Sequence, residues 1–257
     1  MKDWLQKGNQ VRFWRSVGRG GKLASLFAYA TLELLVKRPL TRQQRAEWAH
    51  QFSARVLCRM CVAVRLHGMF PERGVVIANH LGYLDVVAFA ALHRSVFVAK
   101  SEIRRWPFLG WLTAMAGTVY VERGRGGAAA RVKAATQAAV DAGLPLVFFP
   151  EGTTSLGDTV LKFHTGLLMQ AIDAGQPITA AHIRYRLTVE NGPDQSLADV
   201  CFWDDTPLVM HLFRLLAVRG IEVEVRFGDA PIAFTAEAVH RKIAAEEARA
   251  AVMRLRD

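Results

Sequence analysis

The sequence predicts an α/β fold, a mostly parallel sheet flanked by helices, with an N-terminal membrane-associated arm of two helices. Three observations predict it. From residue 75 onward, short apolar runs alternate with helical stretches, the pattern of a largely parallel sheet. Unusual polar clusters fall at the ends of those runs. The positive charge is confined to the start of the chain: residues 1–73 hold 14 Lys and Arg against 4 Asp and Glu, whereas residues 74–257 hold 19 of each. A chain of 257 residues that is 51% hydrophobic buries one large core, or one core plus an appendage.

The arm comes first. Residues 23–36 form an apolar helical stretch flanked by Arg19, Lys22, Lys37 and Arg38. Spanning a bilayer takes about 20 apolar residues, and Glu33 interrupts this run, so it does not read as a transmembrane helix. With no small-residue cleavage site in the usual place, it does not read as a signal peptide. Pro39 stops the helix and Thr41 caps a second one over residues 42–64, where Trp48, Phe52, Val56, Leu57, Met60 and Cys61 recur at helical spacing among Arg45, Arg55 and Arg59. A basic amphipathic pair of this kind lies in a membrane surface with anionic lipids, or else covers the main domain with its arginines solvated. Nucleic acid is not expected as a partner, because the apolar face would have no role there. The domain reading is an arm over 1–65 and an α/β domain over 66–257. Cys58 and Cys61 lack a second pair and a redox context, and read as packing residues in a reducing compartment.

The remaining elements follow in order. Strand 75–78 precedes a helix over 85–92, strand 96–99 an apolar helix over 106–115 with Pro107 in its first turn. Strand 118–121 leads to an alanine-rich helix over 126–142 closed by Gly143, and strand 146–149 ends in Pro150. A helix over 166–174 stops at Gly175; strands 178–183 and 221–227 bracket a helix over 207–218, and a charged helix over 237–256 closes the chain.

His80 and Asp85 leave the end of the 75–78 strand, where α/β folds place their chemistry. Histidine titrates near neutrality, and an aspartate on its second ring nitrogen fixes the tautomer and stabilises the imidazolium. Five residues of helix rotate a side chain by about 500°, roughly 140° from its starting face. The pair therefore meets only if His80 lies in the turn and Asp85 in the first helical turn. By spacing alone, Asp85 fits equally well as a residue favoured by the helix dipole, with His80 an ordinary loop histidine. Three further clusters sit at strand ends: Gly117 to Arg123, Phe149 to Ser155, and Gln176 to Thr179. Arginine offers a planar fork for phosphate or carboxylate, and a Glu151-Gly152 turn could present backbone N–H groups to an oxyanion. These ends are expected to converge. Eight histidines without close ligand spacing predict no metal site.

The ordered set resembles the glycerolipid acyltransferase family typified by bacterial 1-acylglycerol-3-phosphate acyltransferases, over about residues 42 to 230. Its histidine-x4-aspartate motif is matched by Asn79 to Asp85, its glycine-to-arginine motif by Gly117 to Arg123, its Phe-Pro-Glu-Gly-Thr motif by Phe149 to Thr153, and its proline-led motif by Pro177-Ile178. Members that use lysophosphatidate often carry arginine where this chain has Thr154. Residues 200–216 look like a subgroup that includes lyso-ornithine-lipid O-acyltransferases.

The resemblance implies His80 as catalytic base with Asp85 as its orienter, and Arg123, Glu151 and Gly152 at the acceptor site, with Thr153 of the same motif beside them. Position adds Lys100 and Lys162 as further cations for an anionic head group. The expected reaction moves an acyl group from acyl-CoA or acyl carrier protein, with no cofactor beyond that thioester, to the hydroxyl of a lysolipid. Lysophosphatidate is the first acceptor and lyso-ornithine lipid the alternative. The expected location is the cytoplasmic face of a bacterial inner membrane, peripheral or monotopic. A non-catalytic membrane scaffold and a hydrolase using the same histidine are the readings from other classes.

Overall fold

The computed structural model describes residues 7–39, 41–106, 109–121, 128–188, 191, 195–235 and 240–256. Helices α1 (Lys7–Lys37) and α2 (Arg42–Met60) form the N-terminal pair. Thr41 caps α2 as its sequence implies: its side chain accepts from the Gln44 N–H, and the Gln44 side chain accepts from the Thr41 N–H, a reciprocal capping box.

The helix expected over 42–64 ends early. Cys61 takes the left-handed conformation (φ 56°), and Val62–His67 continues as strand β1. Position 65 thus lies within a strand. The alternation Val62, Val64, Leu66 fits a sheet as well as a helix, and pairing with a late strand settles it.

The other elements are β2 (Val75–Ala78), α3 (Tyr83–Leu92), β3 (Val96–Lys100), α4 (Leu109–Met115), β4 (Val119–Val121), α5 (Ala128–Asp141), β5 (Leu146–Phe148), α6 (Thr165–Asp173), β6 (Ile178–Leu187), α7 (Leu208–Ala217), β7 (Ile221–Phe227) and α8 (Arg241–Met253). A short 3-10 turn over Ser101–Arg105 precedes α4, so the helix expected from residue 106 begins at 109 among the described residues. Pro107 lies outside them.

Among the described residues, seven strands form one sheet in the order β1-β7-β6-β2-β5-β3-β4. From β6 to β4 every pairing is parallel, which brings the C-terminal ends of β2, β5, β3 and β4 to one edge. β7 runs antiparallel to β6, and β1 runs parallel to β7. Strand β2 is buried on both faces: Val76 and Ala78 join a core with α1, α2, α3 and α7, while Val75 and Ile77 pack toward α5, α6 and α8.

The helical pair is built into this core. Leu23, Leu26, Ala30 and Leu34 of α1 are buried. Glu33, which interrupts the apolar run, is buried between Lys37 (2.7 Å) and Arg55 of α2 (2.8 Å), so it clamps the two helices together. Near the other end of α1, Arg15 and Arg19 donate to backbone carbonyls at the C-terminus of α7, with Arg15 at 2.6 Å from Ala217 O. Arginines at these carbonyls satisfy the acceptors a helix end leaves open. The outward side of α1 carries exposed Trp14, Val17, Leu32, Leu35 and Val36.

Candidate active site

The turn between β2 and α3 meets the geometric condition set by the sequence. His80 lies in the turn, and Asp85 is the third residue of α3 with Gly82 as its N-cap. His80 Nδ1 stands 2.7 Å from Asp85 Oδ2. The same oxygen accepts the backbone N–H groups of Leu81 (2.6 Å) and Gly82 (3.0 Å), donors that a helix N-terminus leaves free. Since an aspartate so engaged accepts, Nδ1 carries the proton and Nε2 keeps its lone pair. This tautomer follows from the hydrogen bonds. Asp85 is fully buried, whereas the His80 side chain keeps a fifth of its surface. The imidazole stacks on Phe149, with ring centroids 4.1 Å apart and planes within 9°.

Asn79 sets the start of this turn. Its side-chain amide donates to Ile183 O (2.9 Å) and accepts from Ile183 N–H (2.8 Å), continuing the β2–β6 ladder with a side chain where the strand itself stops.

Glu151 follows β5 and holds the turn from below. It is 2% exposed; Oε2 accepts the His80 N–H (3.1 Å) and Oε1 accepts the Leu161 N–H (2.8 Å). Burial raises its carboxyl above the ordinary range, while those two backbone bonds and the nearby His80 pull against the rise. Gly152, in the left-handed region at φ 63°, turns its N–H back to Phe149 O at 3.1 Å. Thr153 is exposed beside it. The Ser155 N–H donates to His80 O at 3.0 Å, so the 149–155 loop grips the histidine through its backbone as well.

The remaining candidates fall as follows. Lys100 is exposed at the C-terminal end of β3, on the sheet edge that also carries His80. Lys162 is exposed immediately after Leu161, whose N–H rests on Glu151. Arg123 lies outside the described residues; β4, the strand it follows, runs parallel to β3. Pro177 does not join them. It stands before the N-terminal end of β6, where its carbonyl accepts the Val75 N–H at 2.9 Å, at the opposite end of β2 from His80. The cluster at Gln176 to Thr179 therefore registers two strands instead of lining the site.

Five contacts had no clear signal in the sequence. The phenol of Tyr185, far along β6, donates to Asp85 Oδ1. Thr154 donates its hydroxyl to Phe202 O, and the Phe202 N–H donates to Leu81 O at 2.8 Å. Tyr83 of α3 contacts His211 Nδ1 at 3.0 Å, while His211 Nε2 stands 2.8 Å from Cys201 O. With Nε2–H donating to that carbonyl, Nδ1 accepts from the phenol. Residues 201–211 are thereby stitched to both halves of the site.

Comparison with known proteins places this arrangement. A family model described as Acyltransferase matches residues 61–184. A lyso-ornithine lipid O-acyltransferase of Rhodobacter capsulatus is 36% identical over 214 residues, 78% of this chain and 75% of that protein. The chain belongs to the acyltransferase family. A second lyso-ornithine lipid O-acyltransferase, of Brucella abortus, is 32% identical to this acyltransferase and covers 86% of it, with 84% of its own length matched. A 1-acyl-sn-glycerol-3-phosphate acyltransferase of Neisseria gonorrhoeae is 33% identical over 61% of the chain and 60% of its own length. The crystal structure of the 1-acyl-sn-glycerophosphate (LPA) acyltransferase PlsC from Thermotoga maritima shares the fold, with a TM-score of 0.63, 96% of this acyltransferase and 97% of that chain covered, and 20% identity.

Proposed function

We propose that this acyltransferase moves an acyl group from a thioester, acyl-CoA or acyl carrier protein, to the free hydroxyl of a lysolipid. The observation that carries the proposal is the His80–Asp85 pair, a histidine with its Nδ1 proton committed to a fully buried carboxylate at 2.7 Å. In the proposed reaction, Nε2 takes the proton of the acceptor hydroxyl as the oxygen attacks the thioester carbonyl. The new C–O bond forms, the C–S bond breaks, and the thiolate leaves with the proton returned by His80 or as the anion. Asp85 stays ionised and steadies the imidazolium between these steps. Arg123, Lys100 and Lys162 are the proposed cations for an anionic head group, with Gly152 and Thr153 beside them. Glu151 is proposed to act through the His80 turn.

The motif order puts lysophosphatidate first as acceptor, giving phosphatidate. Lyso-ornithine lipid is the second reading, and one observation favours it: Thr154, where an arginine would otherwise stand, spends its hydroxyl on Phe202 O. Neither a cation nor a free hydroxyl is then available at that position.

The exposed apolar face of α1, with Lys22, Lys37 and Arg38 along it, supports a peripheral or monotopic seat on a membrane bearing anionic lipid. The cytoplasmic face of the inner membrane is the proposed side. Among the described residues no helix is long and apolar enough to cross a membrane.

The test offers the purified protein acyl-CoA or acylated acyl carrier protein, each with lysophosphatidate, lyso-ornithine lipid or no acceptor, and follows thiol release and the lipid product. Thiol release with one acceptor, lost by at least about 10²-fold in His80→Ala, is the expected result. Free fatty acid without acceptor would mark a hydrolase instead. No release under any condition would leave the scaffold reading, and near-normal turnover in His80→Ala would remove the histidine from the mechanism.

A further inference from the structure

The carboxylate of Asp85 is supported unequally. Oδ2 takes three donors, His80 Nδ1–H, Leu81 N–H and Gly82 N–H, all from its own turn. Among the described residues, Oδ1 accepts from a side chain across the sheet, the Tyr185 hydroxyl. Asp85 is at 0% exposure, out of reach of bulk solvent.

Tyr185 is itself well placed to be rigid. It lies two residues beyond Ile183, whose backbone is bound on both sides by the Asn79 amide. Its residue is 2% exposed, and its backbone registers opposite Val223 of β7. β6 therefore grips the His80 turn twice, before the histidine through Asn79 and after it through Asp85.

We propose that Tyr185 is a positioning residue for acyl transfer: its phenol fixes the plane of the Asp85 carboxylate and limits how strongly that carboxylate holds the His80 proton. The proposal rests on the reading of His80 as general base. A carboxylate with a donor on each oxygen is a weaker proton acceptor than one with a bare buried oxygen. Tyr185 thus shares the charge of Asp85 on the oxygen that does not face His80.

The other groups facing Asp85 do not compete for this role. Burial, then the charge of Asp85, hold the Tyr185 hydroxyl well above its ordinary value, so it remains a donor. The Cys201 thiol, on the 200–211 segment, is pushed up to about 12 by burial and by Asp85 and Asp158. Burial also raises the Tyr83 phenol of α3, which is directed to His211. Glu151 is a further nearby carboxyl, and its oxygens face the backbones of His80 and Leu161.

The test compares wild type with Tyr185→Phe, which keeps the ring and removes the hydroxyl, and with 3,5-difluorotyrosine at position 185, which keeps the shape and strengthens the donor. Two readouts are taken on the full chain in detergent. One is the pH profile of kcat/KM for thiol release. The other is an NMR titration of the His80 ring, assigned by its absence in His80→Ala, which needs no turnover. A titrating pair moves as a unit, so both readouts report the same macroscopic step.

Tyr185→Phe is expected to lower kcat/KM roughly tenfold at pH 7, the scale of one charge-assisted hydrogen bond. It should also move the acid limb and the His80 midpoint upward by about half a pH unit or more. The fluorinated residue should move both downward, which keeps the test decisive if the phenylalanine variant fails to fold. Unmoved midpoints in both variants would overturn the proposal, and reduced activity with unmoved midpoints would assign Tyr185 a packing role only. If His80→Ala keeps its turnover, the general-base reading falls, and the NMR midpoints still decide whether Tyr185 sets the proton affinity of the pair.

Discussion

Replacing Glu151 with glutamine separates a residue that holds the histidine from one that holds the substrate. The carboxylate accepts two backbone N–H groups, from His80 at 3.1 Å and from Leu161 at 2.8 Å, and is 2% exposed. Glutamine matches its shape but has one acceptor oxygen, so one of those N–H groups must face an amide NH2. The loss of a hydrogen bond to a charged group costs about 1.5–3 kcal/mol, and a buried donor left unpaired costs about 1–3 kcal/mol. Because these overlap, the net is about 2–4 kcal/mol. At roughly 2–4 °C per kcal/mol for a chain of this size, the midpoint of thermal unfolding should fall by about 4–16 °C. The His80 turn would also loosen. Misplacing a catalytic group by about 1 Å costs on the order of 10²-fold in rate, so kcat should fall about 10–100-fold while the acceptor KM changes little. Thermal melts and steady-state kinetics on purified protein give both numbers. A Glu151→Gln variant with intact kcat and stability but a much higher acceptor KM would refute this reasoning and place the carboxyl on the substrate.

Acid should weaken the fold through the charged side of β6 and β7. Burial pushes the Glu224 carboxyl up, but hydrogen bonds and charges from Arg184 and Arg226 outweigh it and bring it down to about 2. Its contribution, on the order of 1–2 kcal/mol after solvent screening, is complete above the unfolded-state value near 4.5 and is lost as pH falls from there toward 2. His182 adds loss at higher pH: burial, then Arg184, Arg256 and Arg226, lower it to about 4, so the unfolded chain binds the proton first as pH drops below 6.5. Urea unfolding from pH 7 to 3 should show both stages, and Glu224→Gln should flatten the lower one; an equally steep loss in that variant would dismiss the carboxylate. Asn79→Ala removes two buried bonds to Ile183, and should cost about 2–3 kcal/mol in urea unfolding together with a drop in kcat. Unchanged values for both would show that the ladder does not need it. Leu32→Asp and Val36→Asp alter residues 62% and 83% exposed on α1, and each should weaken flotation with phosphatidylglycerol vesicles about tenfold, the scale of one buried aliphatic side chain. Undiminished flotation would count against the outward face of α1 as the lipid contact.

The parts legible in the sequence are those encoded locally. Thr41 and Pro39 mark the break between α1 and α2 because capping and chain stiffness act within a few residues. The His80–Asp85 geometry follows from one turn and one helix start, and the parallel edge from the alternation of runs. What escaped depends on distant partners. β1 needs β7, more than 150 residues away, to distinguish its alternation from a helical face. Tyr185 looked like any strand residue, since its partner stands 100 positions earlier. Glu33 read as a flaw in an apolar stretch until Arg55 and Lys37 closed on it. Pro177 opens its strand as the sequence implies, but parallel pairing with β2 puts that end away from His80, so the expected convergence does not extend to it.

The edge position of β1 has a practical consequence. β1 grows directly out of α2 and covers the outer side of β7, with the Ile221 N–H donating to Cys61 O at 3.3 Å. A chain trimmed to begin at residue 66 would strip most of that cover and leave a row of open N–H and C=O groups along β7, a template for pairing between molecules. Insolubility or inactivity in such a trimmed protein would report a damaged sheet, and would say nothing about lipid. The helical pair is therefore a structural wall of the enzyme, and its surface has to be studied one side chain at a time.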